Sequence, residues 1–315
     1  MEAIGIDIGG TSFKIGLVDG KGKLLDSFSY PVDHLKNQED QINELGEKIN
    51  DFLQKKEIGK SEIIGIGIGC PGSIDSSTGF CDYSNNLKWS HLNVCGILAR
   101  ITSIKCRISN DANVACLGEV KFGVARKYKN VVMLTLGTGI GSGIVIDGKL
   151  YEGNQGKGAE CGHEVIKMNG RKCTCGRRGC FEAYASATAL IKDTKAKMRK
   201  HKDSLMWDYV KQDIESVGGK TAFECAKKGD KAAIEVRDRY CFYLAEGILN
   251  ICSIFRPECI ILGGGVSNQK EYLLNNLVPL LEKANYGFGL GPKVEILIAE
   301  LGNQAGMIGA ASLLF

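Results

Sequence analysis

Three cysteines near the middle of the chain have the spacing of a metal site. Cys173, Cys175 and Cys180 follow a Cys-x-Cys-x₄-Cys pattern, and His163 precedes the first of them by ten residues. Three thiolates and one imidazole can converge on a single tetrahedral Zn²⁺ ion. Because four protein ligands leave no open coordination position, this zinc would be structural. The alternative is that the three cysteines are reduced residues of a loop.

Three glycine-rich turns, each directly after an apolar strand-like segment, are a second group of residues that could do chemistry. They are Asp7-Ile8-Gly9-Gly10-Thr11, which Lys14 follows, then Gly137-Thr138-Gly139, and finally Gly263-Gly264-Gly265. Glycines let backbone N–H groups approach a phosphate closely, and a nearby carboxylate can hold Mg²⁺ through water. The Walker pattern is absent. We predict two phosphate-binding turns and one nucleoside-binding turn, although a single Gly-Gly-Thr turn is also typical of a tight hairpin.

Together these motifs resemble those of the actin-like ATPase and sugar-kinase superfamily, and within it the ROK family of repressors, uncharacterised reading frames and sugar kinases. The resemblance extends from residue 4 to about residue 312. Its most specific parts are Glu160-Cys161-Gly162-His163 and the segment from Cys173 to Glu182. It implies an α/β protein with the actin-like ATPase (ribonuclease H-like) fold, built as two lobes with a central cleft. Within the family, the chain is most similar to the bacterial kinases that phosphorylate glucose.

The resemblance also implies roles for individual residues. Asp111 matches the catalytic base, and its neighbour Asn110 matches a ligand of the sugar hydroxyls; in isolation this pair would be most simply a helix N-cap. The further sugar ligands that match are Gly72, Asn86, Glu160, His163 and Glu182. ATP with Mg²⁺ would be bound by Asp7, Gly9, Gly10, Thr11 and Lys14, by Gly137, Thr138 and Gly139, and by Gly263, Gly264 and Gly265.

One loop departs from the family pattern. Asn85 is adjacent to Asn86, so the register of the sugar ligand in this loop stays open. Many family members have a proline between such an asparagine and the following tryptophan, whereas this chain has Lys88 before Trp89.

The implied function is the ATP-dependent phosphorylation of glucose at its 6-hydroxyl. The main alternative is a family kinase for another hexose, such as N-acetylglucosamine, N-acetylmannosamine, mannose, fructose or a β-glucoside, because one sequence does not show the backbone placement that discriminates epimers. Polyphosphate as the donor also stays open. A sugar-sensing repressor of this family would carry a helix-turn-helix domain ahead of the first glycine motif, where this chain has four residues before Gly5. We therefore expect no nucleic-acid partner.

An α/β framework must position these residues. The apolar patterns predict strands on both sides of the turn within 3–18, and further strands at 24–30, 63–69, 106–109, 131–136, 140–146, 260–262 and 294–299. Helical spacing predicts helices at 38–55, from about residue 112, and at 185–202, 232–255 and 305–314.

The first hairpin of the chain, a glycine turn followed by an Asp-Gly turn, has a second copy later in the sequence. Ten residues separate Gly9 from Asp19, and ten also separate Gly137 from Asp147. This match predicts an internal duplication in which each copy founds one lobe, and the alternative is chance similarity of two hairpins. We place the small lobe, with the first phosphate motif and Asp111, at residues 1–117 plus about 300–315. The large lobe, with the second phosphate motif, the zinc loop and the adenosine motif, would be 118–299.

The composition bounds the class of protein. The 315 residues are 44% hydrophobic and 24% charged, which is typical of globular proteins and excludes disorder. The net charge of +4 gives no reason to expect a polyanionic partner. No apolar run reaches the ~18 residues that span a bilayer, and the first five residues lack a basic signal region. Thirteen mostly scattered cysteines suit a reducing compartment. We expect a cytoplasmic protein with no membrane partner, and the family resemblance adds a homodimer.

Overall fold

Alternating and continuous apolar segments pair into three sheets in the computed structural model, which describes residues 1–284 and 291–315. The strands are β1 (Glu2–Ile8), β2 (Ser12–Asp19), β3 (Leu24–Pro31), β4 (Ile63–Cys70), β5 (Ser73–Asp75), β6 (Phe80–Ser84), β7 (Trp89–Leu92), β8 (Cys106–Asn110), β9 (Val131–Leu136), β10 (Ile140–Ile146), β11 (Lys149–Tyr151), β12 (Cys259–Gly263) and β13 (Glu295–Ile298). The fold of the described residues is mixed α/β, as the sequence predicts.

Helices connect and cover these strands. They are α1 (Gln38–Lys55), α2 (Val94–Thr102), α3 (Asp111–Lys121), α4 (Glu182–Ala185), α5 (Ala187–Lys200), α6 (Leu205–Tyr209), α7 (Thr221–Lys227), α8 (Lys231–Phe255), α9 (Glu271–Glu282) and α10 (Ala305–Ala311). None of the helices within 1–284 and 291–315 combines the length and the apolar character that a membrane crossing requires.

The helix predicted at 185–202 is α5, which spans Ala187–Lys200. Ser186 separates it from the short helix α4, because the Ser186 backbone is extended (φ −76°, ψ 164°) and ends α4. The same residue is the N-cap of α5, where its Oγ accepts a hydrogen bond of 3.1 Å from the Ala189 N–H. A serine at this position therefore starts a new helix, as N-cap serines do.

By packing, the described residues divide into two compact units. The first unit comprises Met1–Met133, Gly143–Ala159 and Ala299–Phe315, and the second comprises Leu134–Ser142 and Glu160–Ile298. Packing groups residues by their contacts, whereas a lobe is a body that moves as a whole. The lobe boundaries given above therefore stay a prediction.

The first five-stranded sheet has the order β3-β2-β1-β4-β8. β1 pairs antiparallel with β2 and parallel with β4, and β4 pairs parallel with β8. In parallel strands the carboxyl ends lie at one edge of the sheet, where open α/β sheets bind their ligands. That edge carries the Gly9 turn after β1, Gly72 after β4 and Asp111 after β8. The topology thus brings three of the predicted site segments together.

The second five-stranded sheet has the order β11-β10-β9-β12-β13. Counted within each group of five, both large sheets follow the order third, second, first, fourth, fifth. The outer pairs agree as well, since β2–β3 and β10–β11 are antiparallel while β4–β8 and β12–β13 are parallel. This shared order is what an internal duplication predicts. Within residues 1–284 and 291–315, the small third sheet, β5-β6-β7, has no counterpart.

Glycines in the first sheet let helix α10 approach its backbone. Gly5 and Gly67 are partners across β1 and β4. A Cβ at Gly5 would lie 1.9 Å from the Met307 carbonyl oxygen, and one at Gly67 would lie 1.9 Å from that of Ala310. Only hydrogen fits at these two positions. The same helix brings Gly306 against Asp7, where an added Cβ would be 2.4 Å from the carboxyl carbon.

We predict that Gly67→Ala lowers the free energy of unfolding by about 1–3 kcal/mol or more, because the new methyl group overlaps the α10 backbone. Urea unfolding measures the effect. Gly218→Ala is the matched control, since no heavy atom lies within 4 Å of its added Cβ. Equal stability of the two variants would show that α10 does not pack on β4 in this way.

Candidate active site

The first glycine turn holds a carboxylate and an ammonium group side by side. Lys14 Nζ lies 3.1 Å from Asp7 Oδ2, and the two side chains are 43% and 21% exposed. The Gly9 N–H donates to the Ser12 carbonyl oxygen at 2.9 Å, which closes the turn. A partly exposed carboxylate can hold a hydrated Mg²⁺, and a neighbouring lysine can bind a phosphate oxygen. The predicted residues of this turn therefore lie together.

Asn110 and Asp111 stand where β8 ends and α3 begins. Asn110 Oδ1 accepts a hydrogen bond of 2.9 Å from the Ala112 N–H, so Asn110 is the N-cap of α3. Its Nδ2 donates to the Gly72 carbonyl oxygen at 3.3 Å. Asp111 is the first residue of the helix and is exposed. The positive end of the helix dipole favours a carboxylate there. The N-cap and an exposed carboxylate thus occupy neighbouring residues.

Gly72 has a backbone conformation that few other residues adopt. Its φ is +127°, and an added Cβ would lie 2.3 Å from the Tyr83 carbonyl oxygen. This contact places the turn after β4 against strand β6. In the loop that follows β6, Asn85 Oδ1 accepts a hydrogen bond from the Tyr83 hydroxyl at 3.3 Å. Asn86 instead lies against the first glycine turn, with its Cβ 3.4 Å from the position of a Cβ on Gly10. The two asparagines therefore have different surroundings.

Two contacts of the first unit were not indicated by any motif. His34 Nε2 lies 3.0 Å from the Gly10 carbonyl oxygen. Trp89 is buried, and its Nε1 donates to Gln41 Oε1 at 3.0 Å. A lone histidine in a loop and a glutamine in a helix carry no pattern that points to such partners, because both contacts join residues distant in the sequence.

In the second unit, the four predicted metal ligands converge. The ligand atoms of His163, Cys173, Cys175 and Cys180 all lie within 4.8 Å of one another. Cys173 Sγ is 3.7 Å from His163 Nδ1, and the sulfurs of Cys175 and Cys180 are 3.6 Å apart. Two sulfurs that each lie about 2.3 Å from a tetrahedral ion are about 3.8 Å apart. The two distances between ligand atoms therefore match those expected around a tetrahedral zinc ion.

The chemistry of the donors fits a cation as well. The hydrogen bond from the Arg177 backbone N–H lowers the pKa of the Cys175 thiol and favours its thiolate. Burial instead raises the pKa of Cys180 to about 12. A metal ion would supply the positive charge that keeps such a buried sulfur deprotonated.

Glu182 joins the cysteine loop to the second glycine turn. Its Oε2 accepts from the Ile140 N–H at 3.0 Å, and its Oε1 accepts from the Thr174 hydroxyl at 3.2 Å. An added Cβ on Gly139 would lie 2.1 Å from Oε2, so the carboxylate lies directly against the turn. The Cys173 thiol also lies 3.8 Å from Oε1. A carboxylate has about four acceptor positions, so these contacts still leave capacity for a ligand.

The start of α5 fixes the carbonyl groups of the same turn. The Ala187 N–H donates to the Gly137 carbonyl at 2.8 Å, and the Thr188 hydroxyl donates to the Thr138 carbonyl at 2.7 Å. Carbonyl oxygens repel phosphate. Because two carbonyl oxygens of this turn are hydrogen-bonded to the start of α5, the arrangement is compatible with a phosphate-binding turn.

The third glycine turn lies beside the end of β9. Gly264 has φ +82°, and an added Cβ would be 2.7 Å from the Leu136 backbone. The Ser267 hydroxyl donates a hydrogen bond to the Gly264 carbonyl oxygen at 2.8 Å. The second and third turns therefore adjoin in the second unit.

Glu160 precedes a short 3₁₀ turn, Cys161–His163. Its side chain is exposed, and its carbonyl oxygen accepts from the His163 N–H at 3.0 Å. The Cys161 N–H donates to Ser142 Oγ at 2.9 Å, which ties this turn to β10.

Comparison with known proteins decides the family. The model of the ROK family matches residues 3–315. The chain belongs to the ROK family. It is 38% identical over 317 residues to a glucokinase of Thermotoga maritima, with 100% of this chain and 97% of the relative covered. It is 31% identical to a xylose repressor of Bacillus subtilis, with 99% of this chain and 76% of the repressor covered.

A solved structure agrees. The crystal structure of a ROK family glucokinase from Streptomyces griseus, in complex with glucose and AMPPNP, matches with a TM-score of 0.83 and 30% identity. The match covers 100% of this chain and 99% of that chain. This confirms the actin-like ATPase fold that the sequence motifs led us to expect of this ROK chain.

The loop of Asn86 yields a stability prediction. Lys88 has φ +60°, in the left-handed region that proline cannot enter. We predict that Lys88→Gly raises the free energy of unfolding by about 0.5–1 kcal/mol, because relieving about 1–2 kcal/mol of left-handed strain exceeds the entropy cost of glycine, about 0.5–1 kcal/mol. Lys88→Pro should destabilise the protein.

The same substitution at Lys200 is the control. Lys200 is exposed and lies in the last turn of helix α5, where φ is negative, so Lys200→Gly has no strain to relieve and should only destabilise. Urea unfolding compares the variants. Tolerance of Lys88→Pro would contradict the left-handed backbone at this position.

Proposed function

We propose that this chain is a glucokinase, which transfers the γ-phosphoryl group of ATP to the 6-hydroxyl of glucose. The observation that carries the proposal is the exposed carboxylate of Asp111, at the sheet edge that also carries Asp7, Gly9 and Gly72. A carboxylate beside a phosphate-binding turn is what phosphoryl transfer to an alcohol requires. The similarity to glucokinases over the full chain supports glucose as the acceptor.

In the proposed reaction Asp111 accepts the proton of the 6-hydroxyl as that oxygen attacks the γ-phosphorus. The bond between the γ-phosphorus and the bridging oxygen breaks, and ADP leaves with the electron pair. Lys14 and the backbone N–H groups of the glycine turns stabilise the charge on the phosphates. Asp7 would hold Mg²⁺ through water, and that ion, when bound, offsets further phosphate charge.

The remaining motif residues are assigned to the substrates. In the first unit, Gly72, Asn86 and Asn110 recognise the hexose. In the second unit, Glu160, His163 and Glu182 supply carboxylate and imidazole groups that hydrogen-bond the sugar hydroxyls. A carboxylate can accept from two neighbouring hydroxyls of a sugar at once. The turns of Gly137–Gly139 and Gly263–Gly265 bind the nucleotide.

The test measures ADP release with Mg-ATP fixed and a panel of hexoses varied. The panel is glucose, mannose, fructose, N-acetylglucosamine, N-acetylmannosamine and cellobiose. We expect glucose to lead by about a hundredfold in kcat/KM, or about 2.7 kcal/mol of differential transition-state binding. Replacing ATP with polyphosphate tests the donor. Another leading sugar would keep the mechanism but contradict glucose as the substrate.

The catalytic base is tested in the same assay. Asp111→Asn should fold normally and lose about 10²–10⁴-fold in kcat, because an amide does not accept the hydroxyl proton. Asp51→Asn, an exposed change on α1, is the matched control and should keep the wild-type rate. Near wild-type turnover of Asp111→Asn would exclude this residue as the base.

We further propose that His163, Cys173, Cys175 and Cys180 bind a structural Zn²⁺. The convergence of the four ligand atoms supports it. Through the hydrogen bond between Thr174 and Glu182, such an ion would also fix the position of a proposed sugar ligand.

Metal analysis tests the zinc site. We predict one zinc per chain in the purified protein, and less than about a tenth of that in Cys175→Ala, because a Cys₂His set does not complete the tetrahedron. The variant should also melt at a lower temperature. Cys95→Ala, which removes a cysteine of the first unit, should retain the zinc. Full zinc content in Cys175→Ala would contradict the ligand assignment.

Three expectations stay proposals. Thirteen free thiols suit the cytoplasm, where thiols are kept reduced. The family resemblance favours a homodimer, and the mild net charge gives no reason to expect a nucleic-acid partner.

A further inference from the structure

Glu152, which belongs to none of the sequence motifs, accepts hydrogen bonds from two serine hydroxyls of the first unit. Ser109 Oγ donates to its Oε1 at 2.5 Å, and Ser76 Oγ donates to its Oε2 at 2.8 Å. Hydroxyl bonds to a carboxylate are short and strong because the acceptor carries the charge. One side chain thus holds two segments that are 33 residues apart in the sequence.

Each serine lies on a segment that also carries a residue of the proposed active site. Ser109 is buried, with 1% of its surface exposed, and directly precedes Asn110 and Asp111. Asn113, in the first turn of α3, donates to the same hydroxyl oxygen at 3.4 Å. A shift of Ser109 would therefore move the start of α3, where the proposed base stands.

Ser76 follows β5, the short strand that begins directly after Gly72. The Gly72 carbonyl oxygen in turn accepts from Asn110 Nδ2 at 3.3 Å. The contacts form a closed ring that runs from Glu152 through Ser109 and Asn110 to Gly72, and back through β5 and Ser76. Glu152 is the only member of this ring that lies outside the two segments it connects.

The backbone around Glu152 is itself fixed. An added Cβ on Gly156 would lie 2.3 Å from the Ile74 carbonyl oxygen of β5. Lys157 Nζ lies 2.8 Å from Asp82 Oδ2 on β6. The segment 152–157 therefore packs on the small sheet, and the carboxylate is attached to a supported backbone.

We propose that Glu152 is a positioning residue that sets the Asp111 carboxylate and the Gly72 turn relative to each other. The inference rests on the proposed kinase function. Its physical reason is that a base misplaced by about 1 Å can cost on the order of 10²-fold in rate, even when the changed residue does not touch the substrate.

The experiment measures kcat, the KM for glucose, the KM for Mg-ATP and the melting temperature. The variants are Glu152→Ala, Glu152→Gln, Ser109→Ala, Ser76→Ala, and Glu152→Ala combined with Ser109→Ala. Glu215→Ala, which removes an exposed carboxylate that pairs with Lys195, is the matched control.

We expect Glu152→Ala to lower kcat by tenfold or more and to raise the KM for glucose several-fold, while the KM for Mg-ATP stays within twofold. Glu152→Gln should recover most of the activity, because an amide oxygen accepts from one hydroxyl and the amide N–H donates to the other. Adding Ser109→Ala to Glu152→Ala should lower kcat no further, since both changes remove the same contact.

A Glu152→Ala protein that melts earlier but keeps kcat and the KM for glucose would overturn the inference and leave only a structural role. Should Glu152→Ala not fold, Ser109→Ala decides instead: a kcat within twofold of wild type would overturn the inference, and a fivefold or larger loss would support it. An unmodified chain that phosphorylates no hexose would overturn the proposed function, and this inference with it. The turnover of the unmodified chain therefore tests the proposed function, whereas the ratios of kcat and KM between each variant and the unmodified chain test the positioning role of Glu152.

Discussion

The parallel pairing of β1, β4 and β8 is the constraint on which the first unit depends. A parallel strand must end at the same edge as its neighbours, so three loops distant in the sequence meet there whatever their own composition. Each loop then contributes one kind of group: Asp7 and Lys14 a pair of opposite charges, Gly72 an accepting carbonyl, and Asp111 an exposed carboxylate. The glycines of β1 and β4 serve the same edge, because they admit α10 close enough to bring Gly306 against Asp7.

Rigidity in the second unit comes from a different source. The turn after β9 has its carbonyl groups engaged by the start of α5, while Glu182 binds the Ile140 N–H beside it. Glu182 in turn accepts from Thr174, which stands between two cysteines of the convergent Cys/His cluster. A glycine turn has little conformational preference of its own. Here its shape is imposed by a helix N-terminus and by one carboxylate.

Periodicity and residue spacing were enough to predict most of the long elements and the convergence of the cysteine loop. Helix α1 and strands β9 and β10 have their predicted bounds, because each is long and has a clear apolar pattern. The three strands of the small sheet were not predicted, since segments of three to five residues with turn residues between them show no period. The contacts of His34 with Gly10 and of Glu152 with two serines could not be predicted from the sequence either. They join segments far apart in the sequence, and neither side chain stands in a motif.

The two large sheets show how a shared frame can carry different chemistry. Both follow one strand order, and both place a glycine turn after their first strand. They differ after the fourth strand. β4 leads through Gly72 into the small sheet, whose loop places Asn86 against Gly10, whereas β12 leads through Gly263–Gly265 into α9. Insertions at a strand end leave the hydrogen-bonded ladder intact, so they change a ligand-binding edge without altering the sheet. The first sheet therefore carries the exposed carboxylate of Asp111 after its fifth strand, whereas the second sheet carries an additional glycine turn after its fourth.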